Sequence, residues 1–245
     1  TMLSRAARPF ARSPRVHPGL SPHAPYTVSL ELLRAAGELA KRRGWPVCMH
    51  WAETKEEIEW LTAGQGPMRS LLHPPSHSRR NGAPRTNLRN GLADLEEVGL
   101  LSPQIALVHG NHPARGDIER VVRAGATLVH CPGTHAFFRR EPFPLRKWLD
   151  AGATIALGTD GLSSNLDLDM RREMALLREG HPTISAERVF EMATRAGARA
   201  LGFEGRTGEI ASGFWADLCA HSFPDLSGRQ FGTSKALLDA LTRGR

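Results

Sequence analysis

Short runs of β-branched and apolar residues alternate along this chain with longer stretches in which apolar residues recur at helical spacing. Five strand-like runs end near His23, at Val47 to His50, at Ile105 to His109, at Thr127 to His130 and at Thr154 to Thr159. Between them the spacing predicts helices over 28–43, where Leu30, Leu33, Ala36 and Leu39 share a face, and over 54–63, 92–99, 114–124 and 143–151. Strand followed by helix, repeated, is the pattern of βα units and implies an α/β fold around a parallel sheet. Two stretches break the rhythm. Residues 1–20 are rich in Arg, Pro and Ala, contain no acid and show neither period. Thr62 to Gly91 holds Gly64, Gly66, Pro67, Pro74, Pro75, Gly82 and Pro84 among arginines and serines, and reads as a long loop with His73 and His77 solvated inside it.

Composition narrows the class without changing that picture. A chain of 245 residues, 40% hydrophobic and 23% charged, is an ordinary soluble composition for one large or two small domains, which excludes disorder and collagen. The longest apolar runs, such as Ala153 to Leu157, fall far short of the ~18 residues of a membrane span, so no membrane partner is expected. Cys48, Cys131 and Cys219 form no CxxC pair, hence neither a disulfide framework nor a thiolate zinc site, and a reducing, cytoplasmic location is expected. The net charge of +7 is peripheral: Arg5, Arg8, Arg12 and Arg15 at the start, Arg79, Arg80, Arg85 and Arg89 in the loop, Arg243 and Arg245 at the end. With no zinc finger, helix-turn-helix spacing or aromatic RNA-binding motif beside it, this excess implies no specific nucleic-acid partner.

The strand ends carry the chemistry. Four of the five runs end in histidine and the fifth is followed at once by Asp160. In a (β/α)8 barrel the active site is built from residues at the C-terminal ends of different strands. The first motif is Met49-His50-Trp51-Ala52-Glu53-Thr54, a strand-terminal imidazole that can bind zinc with a carboxylate three residues on that can move protons. The second is Val108-His109-Gly110 and the third Gly158-Thr159-Asp160-Gly161, with Ser163, Ser164 and Asn165 behind it.

These motifs, in order with Ser21-Pro22-His23-Ala24-Pro25-Tyr26-Thr27, His130-Cys131-Pro132-Gly133, Met192-Ala193-Thr194, Gly197-Ala198 and Ala216-Asp217-Leu218, resemble the amidohydrolase superfamily. The resemblance is to its deaminase and chlorohydrolase branch, which acts on adenosine-like, guanine-like and triazine-type heterocycles, and it covers roughly residues 19–222. It implies a (β/α)8 TIM-barrel-type fold and hydrolysis of a non-peptide carbon–nitrogen bond, here deamination of a small heterocyclic substrate by water. It implies one divalent metal, zinc with iron as the alternative. By the resemblance His50 and Asp160 are metal ligands, and Asp160 is also the base that deprotonates the attacking water. Glu53 is the acid and base toward the ring nitrogen and leaving group, His109 polarises the water or substrate, and His23 and Asn165 contact substrate. His130 and Cys131 either support these ligands or pack in the core, and Phe137, Phe138 and Phe143 either line a ring pocket or do the same. Self-association is left open.

One motif of the family has no counterpart. Its metal site also takes two histidines from an HxH on the first strand, and HxH occurs nowhere in this sequence. The strands countable here correspond to about the fourth through eighth, which implies an incomplete barrel. The expected organisation is a basic irregular start over 1–18, a partial barrel over 19–203, a return strand to a small β-sandwich over 204–222, and a tail over 223–245 in which Ala236, Leu237 and Leu241 keep a helical pattern. Catalytic zinc normally takes three or more protein ligands besides water, and His50 with Asp160 alone would hold it weakly. Three readings stay open: a truncated or mis-started chain of a deaminase, a split barrel completed by another polypeptide, and a catalytically inactive remnant that binds only a ligand or partner.

Overall fold

The structure, a computed structural model, describes residues 15–72, 91–221 and 233–243, and the chain divides into two compact units, one through Ala126 and one from Thr127 onward. The predicted loop lies largely outside the described residues, His73 and His77 with it.

The first unit holds α1 (Leu30–Arg43), β1 (Val47–Trp51), α2 (Lys55–Ala63), α3 (Met68–Leu72), α4 (Gly91–Glu97), β2 (Ile105–His109) and α5 (Asp117–Arg123). β1 and β2 pair in parallel, Val47 opposite Ile105 and Trp51 opposite His109, so both strands deliver their C-terminal residues to the same end. The run expected to end at His23 is a single parallel bridge, Leu20 to Val47, extended by hydrogen bonds from Cys48 N to Leu20 O and from His50 N to His23 O. Only one side of that run has a neighbour among the described residues, too few ladder bonds for a full strand. β2 is buried at every residue, as a parallel strand covered on both faces should be. Met49, Trp51, Ile105, Leu107, Leu33, Leu61, Leu92 and Leu95 are buried in the core, each aliphatic side chain contributing about 1.5–3 kcal/mol on burial.

Local signals set the helix ends. Ser29 caps α1 by accepting from Leu32 N, and Gly44 ends it in the left-handed region at φ 64°. Thr54 caps α2 by accepting from Glu57 N.

The second unit holds β3 (Thr127–His130), α6 (Pro132–Phe137), α7 (Leu145–Asp150), β4 (Thr154–Leu157), α8 (Met170–Gly180), α9 (Ala186–Ala193), α10 (Arg195–Ala200) and α11 (Ser234–Thr242). β3 and β4 are parallel and in register from Thr127 opposite Thr154 to His130 opposite Leu157. Leu128, Ile155, Trp148, Leu177, Val189 and Met192 form the core. Residues 204–221 form turns and no strand, since no described strand lies alongside to accept their ladder bonds. Within the expected tail the described residues 233–243 carry the helix α11, on which Arg178 of α8 bonds Asp239 Oδ1 at 2.8 Å and Thr242 Oγ1 at 2.7 Å. Among the described residues no helix is long and apolar enough to cross a membrane.

Candidate active site

Three histidines and a carboxylate of the first unit gather at the C-terminal end of β1 and β2. The His50 ring centroid lies 5.0 Å from that of His23 and 5.5 Å from that of His109, stacked on the latter at 23°. Glu53 Oε2 lies 3.7 Å from His109 Nε2, within ion-pair reach if the imidazole is protonated. His109 is almost completely buried, 1% exposed, whereas Glu53 keeps 21% of its side chain in solvent. The sequence-expected residues His23, His50, Glu53 and His109 are thus brought together at this strand end.

The hydrogen bonds assign the imidazole tautomers. His50 Nδ1 lies 2.9 Å from the main-chain carbonyl of His23, an acceptor only, so Nδ1 carries the proton and Nε2 the lone pair. His23 Nδ1 lies 2.8 Å from Thr27 Oγ1, whose own proton goes to Ala24 O. That leaves the hydroxyl as acceptor and makes His23 Nδ1 the donor.

Backbone strain falls mostly at the candidate residues and their neighbours. Among the described residues the non-glycine positions with positive φ are Ala52 at 52°, His109 at 80°, Arg139 at 50° and Asp160 at 57°, and all but Arg139 are at or next to a candidate residue. Each such conformation costs of order 1–3 kcal/mol and persists only where surrounding bonds enforce it.

For Ala52 those bonds are visible. Glu57, 1% exposed, accepts from Ala52 N at 2.9 Å and from Glu53 N at 2.8 Å. From the other side Asn111 N and His112 N both donate to Ala52 O, and Asn111 Nδ2 donates to Glu53 O at 3.0 Å. Burial pushes the Glu57 carboxyl above the ordinary range, against the pull of its N–H donors. Tyr26 is also pushed up, first by burial and then by the charges of Glu57 and Glu53.

Asp160 stands in the second unit, exposed, on the turn that follows β4. Its Oδ2 accepts from Ser164 Oγ and, at 3.3 Å, from Thr134 Oγ1. Asn165 is buried: Nδ2 donates to Thr159 O at 2.8 Å and Glu173 Oε1 at 2.6 Å, and Oδ1 accepts from Leu166 N and from Arg172 Nη1, both at 2.8 Å. All four hydrogen-bonding positions of that amide are used inside the protein, one of them on the carbonyl of Thr159 beside Asp160. Glu173 closes the network by accepting from Gly133 N at 2.6 Å, and burial raises its pKa. His130 is buried and stacks on Phe143 at 3.9 Å and 10°, which makes it and Phe143 core residues, while Phe137 and Phe138 are exposed.

Sequence reasoning missed Glu57, Asn111 and Glu173. For Glu57 a signal existed, Thr54-x-x-Glu57 at a helix start, the spacing of a capping box.

A family model described as Amidohydrolase family matches residues 4–237. A 5-methylthioadenosine/S-adenosylhomocysteine deaminase of Pyrococcus furiosus is 38% identical over 213 residues, 84% of this chain and 45% of its own length. An aminodeoxyfutalosine deaminase of Deinococcus radiodurans is 33% identical over 202 residues, 79% of this chain and 47% of its own. The chain therefore spans about half the length of the curated relatives it matches. Among solved structures, an adenosine deaminase from Xanthomonas campestris with bound zinc superposes with a TM-score of 0.79 at 26% identity, over 97% of this chain and 51% of that one. Aminofutalosine deaminase of Helicobacter pylori gives 0.74 at 23% identity over 88% and 55%, a likeness of fold. The parallel strands described above are thus part of a TIM-barrel-type fold.

Proposed function

The chain belongs to the amidohydrolase family, and we propose that the protein deaminates an adenosine-type heterocycle by hydrolysis, water replacing the exocyclic amine and ammonia leaving. The observation that supports this most directly is the juxtaposition of Glu53 with His109 at 3.7 Å beside His50, in a chain 38% identical to a deaminase of such substrates. The inactive, ligand-binding alternative is not the reading these relatives favour.

His50 suits a metal ligand, because its Nδ1–H is committed to the His23 carbonyl and Nε2 carries the lone pair. By the family's pattern His50 and Asp160 are each proposed among the ligands of a divalent metal, zinc in this proposal, which would lower the pKa of water toward ~7 and so supply hydroxide near neutral pH. Asp160 takes the proton of the attacking water on its carboxylate, which Ser164 and Thr134 orient by donating to Oδ2. Glu53 delivers a proton to the ring nitrogen and then to the departing amine, so the leaving group is ammonia rather than amide ion. His109, buried beside Glu53, polarises the attacked centre. His23 offers its Nε2 lone pair toward the substrate, its Nδ1–H being held by Thr27.

The test is ammonia release from 5′-methylthioadenosine, S-adenosylhomocysteine and adenosine by the full-length protein, with metal content measured on the same sample. Turnover of at least one is expected. A metal-loaded, folded protein that releases ammonia from none of them would overturn the reading.

A further inference from the structure

We propose that Glu57 is a positioning residue for Glu53: its buried carboxylate, bonded to the main-chain N–H groups of Ala52 and Glu53, holds the turn from which the Glu53 side chain reaches His109. The inference rests on the reading of Glu53 as the proton carrier.

The two oxygens of Glu57 are divided between two successive N–H groups, Oε1 taking Ala52 N at 2.9 Å and Oε2 taking Glu53 N at 2.8 Å. Consecutive N–H groups aimed to one side form a concavity that prefers an anion. A glutamate three residues into a helix ordinarily reaches back no further than the cap residue, which here is Thr54. Glu57 reaches beyond it, to the residue that carries the proton-transfer side chain and to the residue before it. Capping α2 does not require that; enforcing φ of 52° at Ala52 does.

The opposite edge of the same peptide is also held. Ala52 O accepts from Asn111 N and His112 N, and Glu53 O accepts from Asn111 Nδ2. Asn111 follows His109 by two residues, so the loop that leaves β2 holds the Glu53 backbone near the imidazole that Glu53 faces. Glu57 and Asn111 therefore clamp the N–H and C=O of both Ala52 and Glu53. An amide at position 57 would keep one acceptor and turn an NH2 donor toward one of the two N–H groups. The turn would then relax away from its positive φ and Glu53 would shift against His109.

The full-length, metal-loaded protein tests this with Glu57→Gln. We expect kcat on the adenosine-type nucleoside to fall by about 10- to 100-fold, the cost of a misplacement near 1 Å, with KM and metal content little changed. Asn111→Ala, which loosens the same peptide from its other edge, should lower kcat in the same direction and serves where the first variant fails to fold. In a Glu53→Gln background, Glu57→Gln should add no further loss, because it acts through the group already removed. Wild-type kcat in Glu57→Gln, when Glu53→Gln has lost activity, would overturn the proposal while leaving the deaminase reading intact. A loss that multiplies in the double variant would overturn it too, as the mark of a merely structural residue. Full activity in Glu53→Gln would instead remove the reading on which the proposal stands.

Discussion

The main-chain carbonyl of His23 accepts two bonds from His50, one from its backbone N–H at 3.0 Å and one from its ring Nδ1–H at 2.9 Å. Both lone pairs of one oxygen are thus used to fix the strand end and the ring together. The consequence is a single tautomer, with Nε2 basic and aimed by the backbone rather than by a mobile side chain. His50→Ala in the full-length protein should reduce bound metal to background in elemental analysis. A full complement of metal in that folded variant would exclude His50 as a ligand.

The Asp160 carboxylate accepts from two hydroxyls, those of Thr134 and Ser164. Asp160→Asn keeps the size and an acceptor oxygen but loses the charge and the basic site. Turnover should fall by about 10²–10⁴-fold, the usual worth of a positioned acid or base, and metal affinity should weaken with it. Near-normal turnover would sink the assignment.

Glu53→Gln separates proton transfer from metal binding. Turnover should drop by a similar factor of about 10²–10⁴ while metal content stays at the wild-type level. Loss of metal on that change would make Glu53 a ligand instead.

The parts of the molecule legible in the sequence are those where one residue type has one job. β2 runs over Ile105–His109 as the apolar run implied, and β1 and β3 end within a residue of expectation, because a buried parallel strand must be apolar throughout. β4 stops at Leu157, before Gly158 and Thr159 turn out of the ladder toward Asp160. The helices from Met170 onward carry buried faces, Met174 and Leu177 on α8 and Val189 and Met192 on α9, yet follow one another without intervening strands, so the βα rhythm did not mark them. The candidate histidines and Glu53 were legible from their places after the strand runs. Glu57 and Glu173 were not, because a carboxylate on a helix reads as a solvated group until the N–H it serves is located in space. For Asn165 the position near Asp160 was visible in the sequence, but its four internal bonds were not.

Gly133 is a glycine for lack of room. A Cβ there would stand 2.3 Å from Asn165 Nδ2 and 2.4 Å from Glu173 Oε1, inside the network that holds the Asp160 turn. Gly133→Ala should destabilise the protein by about 1–3 kcal/mol, the usual cost of overpacking, and lower turnover through the displaced turn. Thermal unfolding followed by circular dichroism checks the first part. An unchanged midpoint would mean that the network yields without cost.

The buried carboxyl of Glu173 gives the stability of the protein a pH dependence whose sign follows from burial. Burial raises its pKa above that of the unfolded chain, outweighing the opposing hydrogen bonds from Gly133 N and Asn165. Between the unfolded value, about 4.3, and the higher folded one, the unfolded chain has released its proton while the folded chain retains it. The folded state binds more protons, so stability falls as pH rises through that window, and the contribution is fully present only below it. Glu57, raised by burial in the same direction, adds to the slope. Glu173→Gln removes one titrating group, and whatever it does to the midpoint itself, the decline of the unfolding midpoint with rising pH should be shallower than in the wild type. Midpoints measured across mildly acidic to neutral buffers at constant ionic strength decide this. A variant whose slope matches or exceeds the wild type would mean that Glu173 is ionised in the folded protein, its charge carried by the Gly133 N–H and the Arg172 guanidinium beside it.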